Sequence, residues 1–272
     1  MNTIREYIAS YLTELKIKAP LVHCITNYVT VNDVANALLA IGASPIMADD
    51  INETEEITAI SSALVINIGT LNQRTIESMI LSGKKANALG IPVVFDPVGA
   101  GASKLRNDTT MEILEQVKIA VLRGNLSEAS FVAGLEVSTK GVDSSEADEI
   151  NDSIAVAKAV AKDFHCVAAV TGATDIISDG ERVVNVSNGC KTLSKVTGTG
   201  CMATALVGAF AGAGTDNFTA AVGGVASMGI AGEIAFSKAG NTAMGSFHIA
   251  IIDALSNLNG EIISRMAKLY EE

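Results

Sequence analysis

Positive charge is scarce in this chain. Its 272 residues hold 19 Lys+Arg against 30 Asp+Glu, a formal charge of −11. Such a balance repels phosphate backbones and anionic lipid, which excludes duplex binding and peripheral membrane docking. An anionic substrate must then be held by local devices: a helix N-terminus, a metal ion or a few placed cations. Cysteine and histidine are sparse as well. Cys24, Cys166, Cys190 and Cys201 include no CxxC pair, and His23, His165 and His248 give no zinc-type spacing. A disulfide framework is not expected in a chain this long and apolar, so the cysteines are read as small packed hydrophobes in a reducing, cytoplasmic setting. No Pro-rich or like-charge stretch divides the sequence, which reads as a single domain over 1–272. Long hydrophobic runs are missing too: the most membrane-like segment, 220–232, is built from Gly, Ala and Ser and stops at Glu233, short of the roughly 20 residues a bilayer demands. The opening segment carries Glu6 and Glu14 and lacks the continuous apolar stretch of a signal peptide.

What is present points to a folded enzyme-sized core. Apolar residues make up 49% of the chain and charged ones only 18%, which excludes global disorder. Ile4, Tyr7, Ile8, Tyr11, Leu12 and Leu15 recur at helical spacing and predict an amphipathic opening helix. Short β-branched runs at 21–25, 44–47, 63–68, 91–95, 119–122 and 165–170 lack polar alternation, as strands covered on both faces do. Helical stretches at 31–41, 72–89, 107–117 and 147–163 lie between them. This alternation predicts an α/β fold: a mainly parallel sheet with helices on both sides in three layers. Residues 176–186 read as a hairpin around Asp179-Gly180, a local antiparallel excursion. Glycine-rich 198–245 keeps its apolar residues and reads as closely packed helices, not a linker.

Ligands of such sheets sit beyond the carboxyl ends of the strands. Thr26-Asn27, Asp49-Asp50, Gly69-Thr70, Asp96-Pro97, Arg123-Gly124-Asn125 and Thr171-Gly172 fall there, and nearly all are polar or glycine. The sharpest motif is Val196-Thr197-Gly198-Thr199-Gly200-Cys201. Its glycines let successive N–H groups converge on one anion, and the following helix adds its dipole. The formal match to a dinucleotide fingerprint comes too late in the chain to be one, and no Walker A sequence exists. At such a helix start the thiol of Cys201 is expected to acidify. Asp96 and Glu128 on neighbouring strand ends would suit hydrated Mg²⁺, which uses one or two carboxylates beside phosphate oxygens. The bland readings are a turn-initiating Asp96, a dipole-matching Glu128 and a surface Arg123.

Taken in order, these segments resemble the ribokinase-like superfamily and, within it, the hydroxyethylthiazole kinase family. The resemblance is carried by 22–36, Ser44-Pro45-Ile46-Met47-Ala48, Asp96-Pro97-Val98-Gly99-Ala100, Arg123-Gly124-Asn125-Leu126-Ser127-Glu128, Thr171-Gly172 and Thr197-Gly198-Thr199-Gly200-Cys201. It implies a three-layer αβα ribokinase-like fold and transfer of the ATP γ-phosphoryl group to the primary alcohol of 4-methyl-5-(2-hydroxyethyl)thiazole, with Mg²⁺. It also implies a homotrimer with active sites at subunit junctions. By position, Asn27, Met47 and Gly198 would contact the thiazole, Arg123 and Thr171 the ATP, and Asp96 and Glu128 the metal–phosphate cluster. Gly198, Gly200 and Cys201 would form the catalytic turn. The superfamily's sugar kinases place an aspartate base where this chain has Cys201. The competing readings are a kinase for another small alcohol, such as hydroxymethylpyrimidine, and a nucleotide-binding module without turnover.

Overall fold

The apolar runs become strands because alternate side chains enter two separate cores. Val22, Cys24, Val65, Val94 and Val121 face one core, while Ile25, Leu64, Ile66, Phe95 and Leu122 face the other. The computed structural model describes residues 3–135 and 146–272. In chain order these form α1 (Ile4–Lys18), β1 (Leu21–Ile25), α2 (Val31–Ile41), β2 (Ser44–Ile46), α3 (Thr54–Ala59), β3 (Ala63–Asn67), α4 (Gln73–Leu89) and β4 (Val93–Asp96). There follow α5 (Lys104–Gln116), β5 (Val121–Asn125), α6 (Leu126–Val132), α7 (Glu146–Phe164), β6 (Val167–Thr171), β7 (Asp175–Ser178) and β8 (Val183–Val186). A short 3-10 helix (Lys191–Lys195) leads into α8 (Thr199–Ala213), α9 (Asn217–Ala239), α10 (Met244–Asn257), α11 (Gly260–Met266) and β9 (Leu269–Glu271).

The strands make one nine-stranded sheet in the order β2-β1-β3-β4-β5-β6-β7-β8-β9. Pairings from β2 through β6 are parallel and those from β6 through β9 antiparallel. Buried residues of α1, α2 and α8–α11 share the first core, and those of α4–α7 share the second. The expected three layers are therefore present, with the hairpin at 176–186 as β7 and β8. The chain runs outward from β1 to β2 and then returns to β3 on the other side of β1. That reversal opens a crevice at the carboxyl ends of β1 and β3.

Three expectations need correction. The run at 119–122 is shifted: β5 extends to Asn125, so Arg123 is a strand residue, and Asp96 and Thr171 close their strands instead of following them. Charged and polar side chains ended those runs by pattern, yet ladder pairing continues through Asn67↔Asp96 and Asn125↔Thr171. The final strand β9 was not foreseen. It pairs with β8 through Val184↔Glu271, Asn185↔Tyr270 and Val186↔Leu269, and three residues leave little periodicity to read. The apolar stretch 220–232 is only the middle of α9, which has 23 residues. Among the described residues α9 is the single helix long and apolar enough to cross a membrane, but 89% of its apolar window is buried inside the protein. It packs on α8 at contact range because Gly224 has no side chain: a Cβ there would stand 2.5 Å from the Val207 nitrogen.

Candidate active site

Five parallel strand ends and one helix start converge at the carboxyl edge of the sheet. Asp96, at the end of β4, is fully buried. Its Oδ2 accepts hydrogen bonds from Thr204 Oγ1 of α8 (2.6 Å) and Asn67 Nδ2 of β3 (3.0 Å), and lies 3.6 Å from Arg123 Nη1. Burial pushes its carboxyl up to about 6, against the opposing pull of Arg123 and the Thr204 hydroxyl; nearby Glu128 pushes the same way as burial. Oδ1 of Asp96 is buried with no hydrogen-bond partner among the described residues. A buried, partnerless carboxylate oxygen is costly unless something outside the protein completes it.

Arg123 reaches from β5 across to β6, where its Nη2 donates to Thr171 Oγ1 at 2.7 Å; that hydroxyl in turn sits 3.2 Å from the Gly124 carbonyl. The guanidinium lies directly against the start of α8, since a Cβ on Gly200 would stand 2.8 Å from Nη1. Only glycine lets the arginine approach the helix this closely. Gly198 precedes the helix with φ +85° in the left-handed region, which favours glycine. A Cβ there would also strike Thr30 Cγ2 at 2.7 Å. Met202 N bonds the Gly198 carbonyl at 2.8 Å, so the N–H groups of Thr199, Gly200 and Cys201 precede the helical ladder, and no side chain caps them. Uncapped donors, the helix field and one arginine together form an anion cradle.

Beside the cradle lies a cleft of about 680 Å³, lined by Arg123, Thr171, Gly172, Asp175, Leu193, Thr199, Gly200 and Met228 among others. Its volume suits a nucleotide-sized ligand. A larger groove of about 1090 Å³ lies at the opposite ends of β4–β6, near Lys118 and His165, and contains none of the expected site residues.

Glu128 is placed by α6, whose capping box it completes. Its Oε2 accepts from Asn125 N (2.8 Å) and its Oε1 from Gly99 N (2.8 Å), while Asn125 Oδ1 caps Glu128 N (2.9 Å). The dipole-matching reading is thus satisfied, and each carboxylate oxygen keeps a further lone pair. Asn27 follows β1 with its Oδ1 accepting from Val29 N at 2.9 Å. Its amide packs on Gly69, where a Cβ would meet Asn27 Nδ2 at 2.5 Å and Asn67 Oδ1 at 2.9 Å. Met47 stands apart. It is half-buried beyond β2, packs on the first core and does not line the cleft. Its loop is pinned by His23, whose Nε2 donates to the Ala48 carbonyl at 2.7 Å. Burial lowers the His23 pKa, so the ring is neutral, with its proton on Nε2.

Cys201 reverses an expectation. Its thiol is raised, not acidified: burial dominates, the Asp96 charge adds to it, and hydrogen bonds from Thr30 and Asn67 with the field of Arg123 oppose without prevailing. The helix-start argument holds for exposed thiols, whereas this one is 9% exposed. The sequence reading also missed Asn67, Thr204 and Asp175. Asn67 lies inside an apolar strand run, and Thr204 stands one turn into a buried helix. Asp175 accepts from Gly172 N at 2.9 Å and is itself raised to about 6, chiefly by burial, against the pull of that N–H and of Arg123.

The sequence pattern of the hydroxyethylthiazole kinase family matches residues 12–261. The chain belongs to that family. A hydroxyethylthiazole kinase of Clostridium beijerinckii is 67% identical over 99% of both chains, and one of Ruminiclostridium cellulolyticum is 65% identical over the full length of both. The solved structure of a hydroxyethylthiazole kinase protein from Pyrococcus horikoshii superposes with a TM-score of 0.90 at 41% identity, covering 98% of this chain and 99% of that one. A pyridoxal kinase of Staphylococcus aureus, solved with AMP-PCP and pyridoxal, shares the fold at a TM-score of 0.59 and 14% identity, over 79% of this chain and 87% of its own. The fold shared with these structures and the family's kinase class are those the resemblance implied.

Proposed function

We propose that the protein transfers the γ-phosphoryl group of ATP to the primary alcohol of 4-methyl-5-(2-hydroxyethyl)thiazole. The observation that carries this is the uncapped start of α8 pressed against Arg123 at the mouth of the cleft. In an acidic protein it unites main-chain donors with a mostly buried arginine and the buried Asp96 carboxylate. Arg123 and Thr171 hold ATP phosphates, and the N–H groups of 199–201 meet the charge on the phosphoryl group as it passes to the alcohol. The alcohol oxygen forms the new bond to phosphorus as the bond to the β-phosphate oxygen breaks, and ADP leaves. Because the transition state is loose, the alcohol need not lose its proton early, and positioning with charge stabilisation supplies most of the rate. Cys201 orients the hydroxyl. Its raised thiol argues for a neutral hydrogen-bonding partner over a standing thiolate.

The partnerless Asp96 Oδ1 fits a magnesium site completed largely by water and phosphate. Asp96 and Glu128 would hold the ion, which when bound neutralises charge on the β- and γ-phosphate oxygens. Asn27, Met47 and Gly198 would contact the thiazole. Four free cysteines are consistent with work in the cytoplasm.

A coupled ADP-release assay with the thiazole alcohol, hydroxymethylpyrimidine and a sugar tests the proposal. Turnover is expected with the thiazole alcohol at a kcat/KM well above the others. A preference for the pyrimidine alcohol, or ADP release indifferent to any acceptor, overturns it. Cys201→Ala should slow turnover, and Cys201→Asp should retain or raise it, since a carboxylate can also accept from Thr30 and Asn67. A folded, nucleotide-binding aspartate variant with no turnover removes the orienting role.

A further inference from the structure

Asn67 sits at the last position of β3, is 1% exposed, and belongs to no motif that the sequence offered. Its amide orientation is not free. Oδ1 accepts from Gly69 N at 2.8 Å, so the NH₂ group must face the other way. There Nδ2 has two acceptors: Asp96 Oδ2 at 3.0 Å and Cys201 Sγ at 3.3 Å. A primary amide carries two N–H bonds, one for each. The two acceptors depend on it unequally. Asp96 Oδ2 also receives the Thr204 hydroxyl and lies beside Arg123, whereas among the described residues the one hydrogen bond drawn to the sulfur is that from Asn67, the neighbouring Thr30 hydroxyl being aimed at the Asn27 carbonyl at 3.4 Å.

From this geometry we propose that Asn67 is a positioning residue that aims the Cys201 sulfur, occupying one sulfur lone pair so that the other faces the O–H of the acceptor alcohol. It acts through Cys201 and therefore rests on the orienting role given to that thiol above. The backbone tie to Gly69 is what makes the aim rigid: the same side chain that shapes the β3 turn, against which Asn27 packs, also fixes the thiol. Acceptor pocket and reacting centre are thus linked through one buried amide.

Asn67→Asp separates the two jobs. One carboxylate oxygen still accepts from Gly69 N, keeping the turn, but the other presents lone pairs to Asp96 and the sulfur where a donor stood. Asn67→Leu, a near-isostere without charge, lacks both functions. Each variant, Cys201→Ala and the Asn67→Asp/Cys201→Ala double would be followed by steady-state kinetics, thermal melting and ADP calorimetry. Losing a donor to a reacting group predicts a fall in kcat of about 10- to 100-fold in Asn67→Asp. Its KM for ATP and its ADP affinity should move less than about threefold, as expected for a change confined to the transition state. In the double variant, kcat should lie within about threefold of Cys201→Ala, because residues acting as one unit are not additive. Wild-type kcat in Asn67→Asp shows that the Gly69 turn is the only job and overturns the proposal. So does a double variant whose loss is the product of the two single losses. If Asn67→Leu does not fold, Asn67→Asp still decides. Should Cys201→Ala itself turn over at the wild-type rate, the thiol reading fails beneath both; a slow Cys201→Ala beside a fast Asn67→Asp sinks this inference alone.

Discussion

At the scale of single residues, the site stores an electrostatic cost in Asp96. Its folded value of about 6 stands above the usual 3.8, so above pH 6 the nucleotide-free protein carries a buried carboxylate that the unfolded chain would ionise more cheaply. As pH falls from about 6 towards 3.8, the folded state binds a proton before the unfolded state does, and the penalty is relieved. Asp96→Asn keeps an acceptor for Thr204 and Asn67 and turns its NH₂ to the partnerless Oδ1 position. It should abolish turnover yet raise stability at pH 8 by at most roughly 2–3 kcal/mol, since each tenfold change in a proton's binding constant is worth about 1.4 kcal/mol. That gain should vanish near pH 4. Melting curves of both proteins at the two pH values check this; a variant less stable than wild type at pH 8 would contradict it. The sign could not be read from sequence. Asp96 before Pro97 looked like a turn residue, and only its zero exposure shows that ionisation is paid for by folding elsewhere. The fate of Cys201 teaches the same: the helix field was legible from Gly198-Thr199-Gly200, but burial and the Asp96 charge outweigh it.

At the scale of elements, glycine at the start of α8 has opposite consequences for stability and for chemistry. Alanine at an ordinary helix position is favoured over glycine by about 1 kcal/mol. At Gly200 the added methyl would meet the tip of Arg123 at 2.8 Å, a flexible end that can swing aside. Gly200→Ala should therefore fold with a melting temperature within a few degrees of wild type, while its KM for ATP rises at least tenfold as Arg123 leaves Thr171 (about 1.4 kcal/mol of lost binding). Unchanged ATP kinetics would detach Arg123 from the nucleotide. The start of α6 works differently, because Glu128 joins Gly99 N to Asn125 N across two strand ends. Glu128→Ala leaves both donors without their partner and should cost about 1–3 kcal/mol in urea unfolding. Glu128→Gln keeps one of the two acceptors and turns its NH₂ against the other backbone N–H, so it should cost part of that stability and also need more Mg²⁺; an unchanged magnesium titration would reduce Glu128 to its capping role. The polar strand-end residues were legible because α/β sheets place ligands there, so Asn27, Asp96, Arg123 and Thr171 stood out. Asn67 did not, since the apolar run continues past it to Ile68 and a single asparagine inside such a run carries no signal of its own.

At the scale of the whole molecule, the parallel core from β2 to β6 was written in the spacing of its apolar runs, and the hairpin in Asp179-Gly180. The closing strand β9 was not, because its place beside β8 is decided by contacts such as Lys268 N with Asn188 Oδ1 and Lys268 Nζ with Glu233, distant in the chain. Assembly is likewise absent from the pattern, yet the surface bears on it. Tyr28 and Val29, next to Asn27, are 74% and 58% exposed, and Leu39 on α2 is 60% exposed. Apolar side chains beside an acceptor site cost solvation unless covered, and in a homotrimer a second copy would cover them while enclosing the alcohol. Sedimentation equilibrium should then give three chains per particle. Tyr28→Asp would place a desolvated charge in the contact; it should lower the particle mass and raise the KM for the thiazole alcohol more than that for ATP, since Tyr28 does not line the cleft proposed for the nucleotide. A wild-type protein that sediments as one chain at full turnover would leave the acceptor side open to water, and the exposed pair would need another partner than this chain itself.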